Sequence, residues 1–315
     1  MSDHHDHHDR DDRQDRDDQR LHDHVVAGTA GTPAARSAVR HAAREADARR
    51  VTLELVHVLP GERPDDGAAH ALAAQCLEES RRVARAEIPH LPVALSLIGG
   101  SGVDGLVGRA ADARLLVVGA PSPGPIERLR PDSAALGAAG RSRCPVVVVP
   151  PEQHAVQQLR RIVVGLKSPR RADEELLSEA FAEALRHRAE LAVVYAWQPQ
   201  APHADAVVRA RHDPGWLPGE AALVDERLAA LRHAFPGVQL RVDVVRGTAA
   251  DAMVAASAEG SLLMLSRSRV RGPARALGPT ARAVLQRARC PVELVPAART
   301  HTDVRPRTLA GLAHH

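Results

Sequence analysis

A chain of 315 residues with 44% hydrophobic side chains has material for two ordinary cores, yet only 2% of it is aromatic, so Ala, Val and Leu must build them. Three widely spaced cysteines, Cys76, Cys144 and Cys290, fit neither a disulfide framework nor a CxxC metal clip, which points to a reducing compartment, read as the cytoplasm. No stretch approaches the roughly 20 apolar residues of a membrane helix, and the N-terminal residues hold no apolar leader core, so membrane insertion and secretion are not expected.

The first 24 residues carry nine Asp and four Arg, which leaves the net positive charge on everything that follows. Too few apolar side chains lie there to offset ordering, so residues 1–22 are expected to form a disordered Asp/His/Arg-rich tail. His4, His5, His7 and His8 among the acids read either as a weak metal-binding tract or as a solvated polyampholyte. Without fixed tetrahedral spacing the second is the simpler reading.

From residue 23 to 150 strands and helices alternate. "HVVAG" is an apolar run, and Ala35, Ala38, Val39, Ala42 and Ala43 then recur at the spacing of a one-faced helix. "VTLELVHV" is a second strand. Ala69, Leu72, Ala73, Cys76, Leu77, Val83 and Ala84 line a second helix, and "PVALSLI" is a third strand. A short helix near 103–111, the strand "RLLVVG", a Gly/Pro-marked loop, a small helix and "CPVVVV" complete a βαβαβαβαβ order.

Residues 160–297 repeat that order after a linker at 151–159, and residues 298–315 read as a second loose tail. "RSRCPVVVVP" at 141–150 and "RARCPVELVP" at 287–296 agree at seven of ten positions, so the chain is a tandem duplication. Strands apolar on both faces and separated by helices predict α/β domains, each a doubly wound parallel sheet. Ligands of such sheets sit beyond the carboxyl ends of the strands, where strand order reverses. The loops after the first and fourth strands of each copy are therefore the candidate sites.

Both copies resemble the universal stress protein family through "GT-x-G-T-P" or "GL-x-S-P" after the first strand, a second strand ending "HV" or "AW", the stretch "VVRGTAADAMVAASAEGSLLMLS", and the terminal "CPV-x-x-V". The resemblance implies two Rossmann-like five-stranded sheets in the order 3-2-1-4-5, packed through their last strands as a pseudo-dimer. Nucleotide-binding members carry an Asp after the first strand and, after the fourth, G-x-x-G, nine residues, then G-S or G-T. Against that pattern the first copy keeps Gly119 and Ser133, with Gly124 in the same loop. Ser122 stands at the second glycine, Asp132 at the third, and Ala30 at the Asp. A carboxylate at a helix N-terminus uses the amides that an anion would use, so Asp132 is expected to occupy the phosphate's seat or to be an ordinary cap.

In the second copy Ser266 takes the first glycine's place, Gly278 is kept, Pro279 replaces the hydroxyl residue, and Thr280 lies one position late. Lys167 replaces the Asp and is followed by Ser168. Together with Arg267, Arg269, Arg271 and Arg275 it is expected to make a cationic crevice, unless these are solvated loop residues of an Arg-rich chain. Such a crevice would take a phosphate-bearing small molecule or an acidic protein partner. Cys144 and Cys290 read as small packing residues, Val146–Val149 as a candidate interface, and Glu293 as a charge that discourages pairing of an edge strand.

The leading expectation is thus a non-catalytic stress-response module with degenerate nucleotide sites, no cofactor, an intramolecular domain pair and room for a homodimer. The alternative is a member that still binds ATP or hydrolyses it slowly. An ATP-pyrophosphatase would need an SGGxDS-type loop, which "GTAGTP" and "GLKSPR" lack, and a phosphoacceptor receiver would need clustered acids. Scattered arginines and few aromatics argue against nucleic-acid binding.

Overall fold

The computed structural model describes residues 23–61, 67–120, 134–151, 159–168, 174–197, 216–267 and 277–296. Neither tail falls within them, so the expectations for residues 1–22 and 298–315 lie outside the described residues.

In the first half, β1 (His24–Thr29), α1 (Pro33–Arg49), β2 (Thr52–Leu59), α2 (Gly67–Glu87), β3 (Val93–Gly99), α3 (Gly102–Arg109), β4 (Leu115–Gly119), α4 (Ala134–Arg141) and β5 (Val146–Val149) follow the expected alternation. The second half repeats it as β6 (Arg161–Leu166), α5 (Glu174–His187), β7 (Glu190–Trp197), α6 (Trp216–Ala234), β8 (Leu240–Arg246), α7 (Ala249–Ala256), β9 (Leu262–Arg267), α8 (Pro279–Arg287) and β10 (Val292–Pro296). None of the described helices is long and apolar enough to cross a membrane.

All ten strands form one sheet, in the order β3-β2-β1-β4-β5-β10-β9-β6-β7-β8. Each half has the order 3-2-1-4-5 that the resemblance implied. Pairing is parallel everywhere except at the centre, where β5 and β10 run antiparallel with Val147 opposite Glu293. The run Val146–Val149 is therefore the internal interface. Glu293 corrects the sequence reading. Its strand is not an edge but lies between β5 and β9, and Glu293 is 1% exposed.

Alternating strand residues divide the interior by face. Val26, Leu116, Val146, Val148, Val292, Leu294 and Leu263 belong to one apolar core that runs unbroken across the two halves beneath α3, α4, α7 and α8. On the other face the apolar residues form two separate cores, one under α1 and α2 and one under α5 and α6. What separates them is a group of buried charges.

Local chemistry sets the helix ends. Thr32 caps α1 by accepting from the Ala35 amide at 3.2 Å, Pro33 begins the helix, and Arg50 ends it in the left-handed region at φ 56°. Arg188 ends α5 likewise at φ 52°. Ser101 and Thr248 cap the corresponding α3 and α7. The acid three residues on, Asp104 or Asp251, pairs with an arginine of the next helix, Arg141 or Arg287.

A buried carboxylate also sits beneath α3. Glu54 accepts from Ser96 and from Arg109, and His24 Nε2 lies 3.2 Å away. Burial opposes its ionisation, but the neighbouring His24 and the bonds from Ser96 and Arg109 outweigh that and hold the carboxyl at about 2.

Candidate functional site

Parallel strands bring the first-half loops together at one end of the sheet. β1 ends at Thr29, whose hydroxyl lies 3.2 Å from Nδ1 of His57 at the end of β2 and donates to the Val56 carbonyl at 3.3 Å. Burial lowers the His57 pKa, against a bond that its ring donates to the Thr29 backbone. The histidine is thus a partnered strand-end residue. Beyond Thr29 the chain passes through the exposed Ala30 and then Gly31, at φ 67°, into the capped start of α1.

Gly119 ends β4 hard against that helix start. A Cβ there would meet the Ala34 carbonyl carbon at 2.5 Å and the Ala35 nitrogen at 2.7 Å. Glycine is required because backbone cannot give way as a side-chain tip can. Gly119→Ala is expected to lower stability by roughly 1–3 kcal/mol, and a thermal melt equal to wild type would refute that close approach. Ser122, Gly124, Asp132 and Ser133 lie outside the described residues.

In the second half, Ser266 holds the place of Gly119, since Val295 pairs with it as Val149 pairs with Gly119. Its hydroxyl is buried without a hydrogen-bond partner. Lys167 and Ser168 follow β6, which pairs with β9, so Lys167 and Arg267 leave neighbouring strands. The Arg267 guanidinium nevertheless turns to the first half and donates to the Ala139 carbonyl at 3.0 Å and the Ser142 carbonyl at 2.5 Å. There it caps the carbonyl end of α4, where a cation is favoured. Arg269, Arg271 and Arg275 lie outside the described residues. Gly278 stands before α8 with no side-chain bond to the helix, Pro279 begins it, and Thr280 sits in its first turn.

Cys144 and Cys290 are buried thiols just before the last strand of each half. Cys144 Sγ lies 3.2 Å from the Ser142 hydroxyl and burial raises its pKa, while burial pushes Cys290 up to about 12.

A second constellation lies at the seam. Glu45 of α1 and Glu183 of α5 occupy corresponding places, each five residues before the left-handed arginine that ends its helix. Arg49 donates to both, to Glu183 at 2.9 Å, and Arg186 also pairs with Glu183. His187 Nε2 lies 3.3 Å from Glu45 and 3.0 Å from Glu183. Burial opposes ionisation of Glu183, yet Arg49, His187 and Arg186 outweigh it and hold the carboxyl at about 2. His41, beneath them, has its pKa lowered to about 3 by burial and by Arg44. Glu293 stays buried with one oxygen unpartnered. Burial, then Glu183 and Glu179, push its carboxyl up to about 8.

Sequence reasoning missed this group, although one signal existed. Glu45 is three residues from Ala42 and Glu183 three from Ala180, so each puts a carboxylate on the apolar stripe of its helix.

The model of the universal stress protein family matches residues 22–150 and again 158–296. A universal stress protein of Mycobacterium tuberculosis strain H37Rv is 28% identical over 292 residues, 85% of this chain and 94% of that protein. One from Mycobacterium bovis is 27% identical over 294 residues, 85% of this chain and 95% of its own length. Among solved structures, a universal stress protein from Archaeoglobus fulgidus DSM 4304 superposes with a TM-score of 0.64 at 14% identity. It covers 88% of this chain and 97% of that one, a likeness of fold. Two matched segments and relatives aligned along nearly their whole length lead to one conclusion: the chain belongs to the universal stress protein family and carries the family's domain twice.

Proposed function

We propose that this chain is a non-catalytic binding and regulatory module in which the two nucleotide-type sites have diverged, the first closed and the second turned toward anions. The observation that carries the reading is the end of β1. Ala30 offers no charged acceptor where binding members present an Asp, and the Thr32 hydroxyl already takes an amide of the adjoining helix. A missing charged hydrogen bond costs about 1.5–3 kcal/mol, or roughly 10- to 150-fold in affinity. Asp132 would add to this by holding the donors of the next helix.

The second half differs in kind. Gly278 leaves the first amides of α8 without a side-chain cap, and Lys167 stands where the Asp would be. A helix N-terminus and a cation that follow the carboxyl ends of neighbouring strands suit a phosphate-bearing small molecule or an acidic protein segment. Arg267 contributes less to that crevice than its position suggests, because its guanidinium is bound to α4.

Equilibrium dialysis of the full chain against labelled ATP and magnesium tests the reading. Affinity weaker than about 100 μM is expected, tightened at least roughly tenfold by Ala30→Asp. Micromolar retention of ATP by the unaltered chain would overturn it in favour of an ATP-binding module.

A further inference from the structure

The oxygens of the two seam glutamates divide into two sets. Oε2 of Glu45 and Oε2 of Glu183 face guanidiniums, those of Arg49 and Arg186. Oε1 of both faces imidazoles instead. His187 Nε2 lies 3.3 Å from Glu45 Oε1 and 3.0 Å from Glu183 Oε1, and His41 Nε2 lies 3.9 Å from Glu45 Oε1. The ligand atoms of Glu45, Glu183 and His187 all fall within 4.8 Å of one another. His41 is 5% exposed, and its Nε2 has no hydrogen-bond partner although it is aimed at this group.

These distances have a chemical meaning. A tetrahedral ion bound at about 2.0–2.1 Å separates its ligands by about 3.3–3.4 Å, close to the two shorter spacings. His41 approaches only Glu45, at 3.9 Å, and does not fall within 4.8 Å of all three other ligand atoms, so its ring has to swing inward when the ion binds. Arg49 and His187 are the last residues of α1 and α5, so the carbonyl ends of two helices converge here and favour a cation. We propose that Glu45 Oε1, Glu183 Oε1, His187 Nε2 and His41 Nε2 form a site for one divalent transition-metal ion of the zinc class, which ties the two halves together.

Imidazole with carboxylate selects zinc and its neighbours over magnesium or calcium. Arginines on the outer oxygens orient the ligating carboxylates, as partners around metal ligands do elsewhere. Their charge also works against the ion and weakens its hold. Entry is from the side of Arg186 and His187, whose side chains are 25% and 13% exposed.

The test is a melt of the chelator-treated full chain with and without zinc chloride. At about a hundred times its Kd, zinc raises the melting temperature by roughly 5 °C. His41→Gln and His187→Gln each lose most of that rise, each compared with itself so that basal stability cancels. All three proteins share the His-rich N-terminal segment, so a rise that persists in both variants overturns the site. No rise in the unaltered chain also overturns it. Crystals grown with zinc and measured at its absorption edge decide independently of whether a variant folds. A peak among the four atoms supports the site, and its absence at saturating zinc overturns it.

Discussion

Arg49→Met lowers the unfolding free energy by about 3–5 kcal/mol at pH 7, read from urea unfolding followed by circular dichroism. The guanidinium is the bridge between Glu45 and Glu183, which are both almost wholly buried. Without it two carboxylates face each other across the seam with His187 and Arg186 left to neutralise them. Removing one member of a buried ion group leaves the others uncompensated, which is why the cost exceeds that of an exposed pair. Arg232→Met, which breaks an exposed contact with Asp225, is expected to change stability by less than about 1 kcal/mol. The loss should shrink in acid. Glu183 is held at about 2, below its usual 4.5, so its ionic contribution is present above pH 4.5 and fades as pH falls toward 2. Equal losses for Arg49→Met and Arg232→Met would mean that the seam charges are dispensable.

Glu293→Val acts in the opposite direction, stabilising the chain by roughly 2–4 kcal/mol at pH 7 when both proteins are melted in chelator. The carboxyl is pushed up to about 8 in the folded chain from 4.5, chiefly by burial and then by Glu183 and Glu179. Below pH 4.5 both folded and unfolded chains hold its proton. Between 4.5 and 8 the unfolded chain ionises first, so stability falls by about 1.4 kcal/mol per pH unit and the full cost is reached above 8. Valine is what the first half already places opposite, at Val147. The variant should therefore gain most at pH 8 and little at pH 4. A gain that does not change with pH would place the cause in packing rather than in the carboxyl.

Much of the architecture could be read from residue order. Val-rich runs apolar on both faces, stripes such as Ala35, Ala38, Ala42 and Leu177, Ala180, Ala184, and the repeated Cys-Pro-Val are local signals, and local signals suffice for strands, helices and duplication. The seam could not be read the same way. Glu45 and Glu183 look like solvated helix charges in an Arg-rich chain, because what buries each is a helix from the other copy. Glu293 looked like the guard of an edge because nothing in "CPVELV" says that β5 covers it. Arg267 looked like part of its own crevice, and its acceptors lie more than 120 residues earlier, at the end of α4. At the strand ends, Ala30, Lys167 and Ser266 were legible as departures from a pattern, whereas the burial of the Ser266 hydroxyl needed three dimensions.

The antiparallel meeting of β5 and β10 carries an evolutionary consequence. In an assembly of two identical subunits about a two-fold axis, every residue on that axis confronts itself, so an arginine at position 49 would oppose its own twin and a central acid would be doubled. Joining the copies in one polypeptide lifts that restriction, and corresponding positions have drifted to Arg49 against His187 and Val147 against Glu293. Covalent fusion thus gave this chain a heterodimer's freedom from symmetry, with the partner always present at fixed ratio.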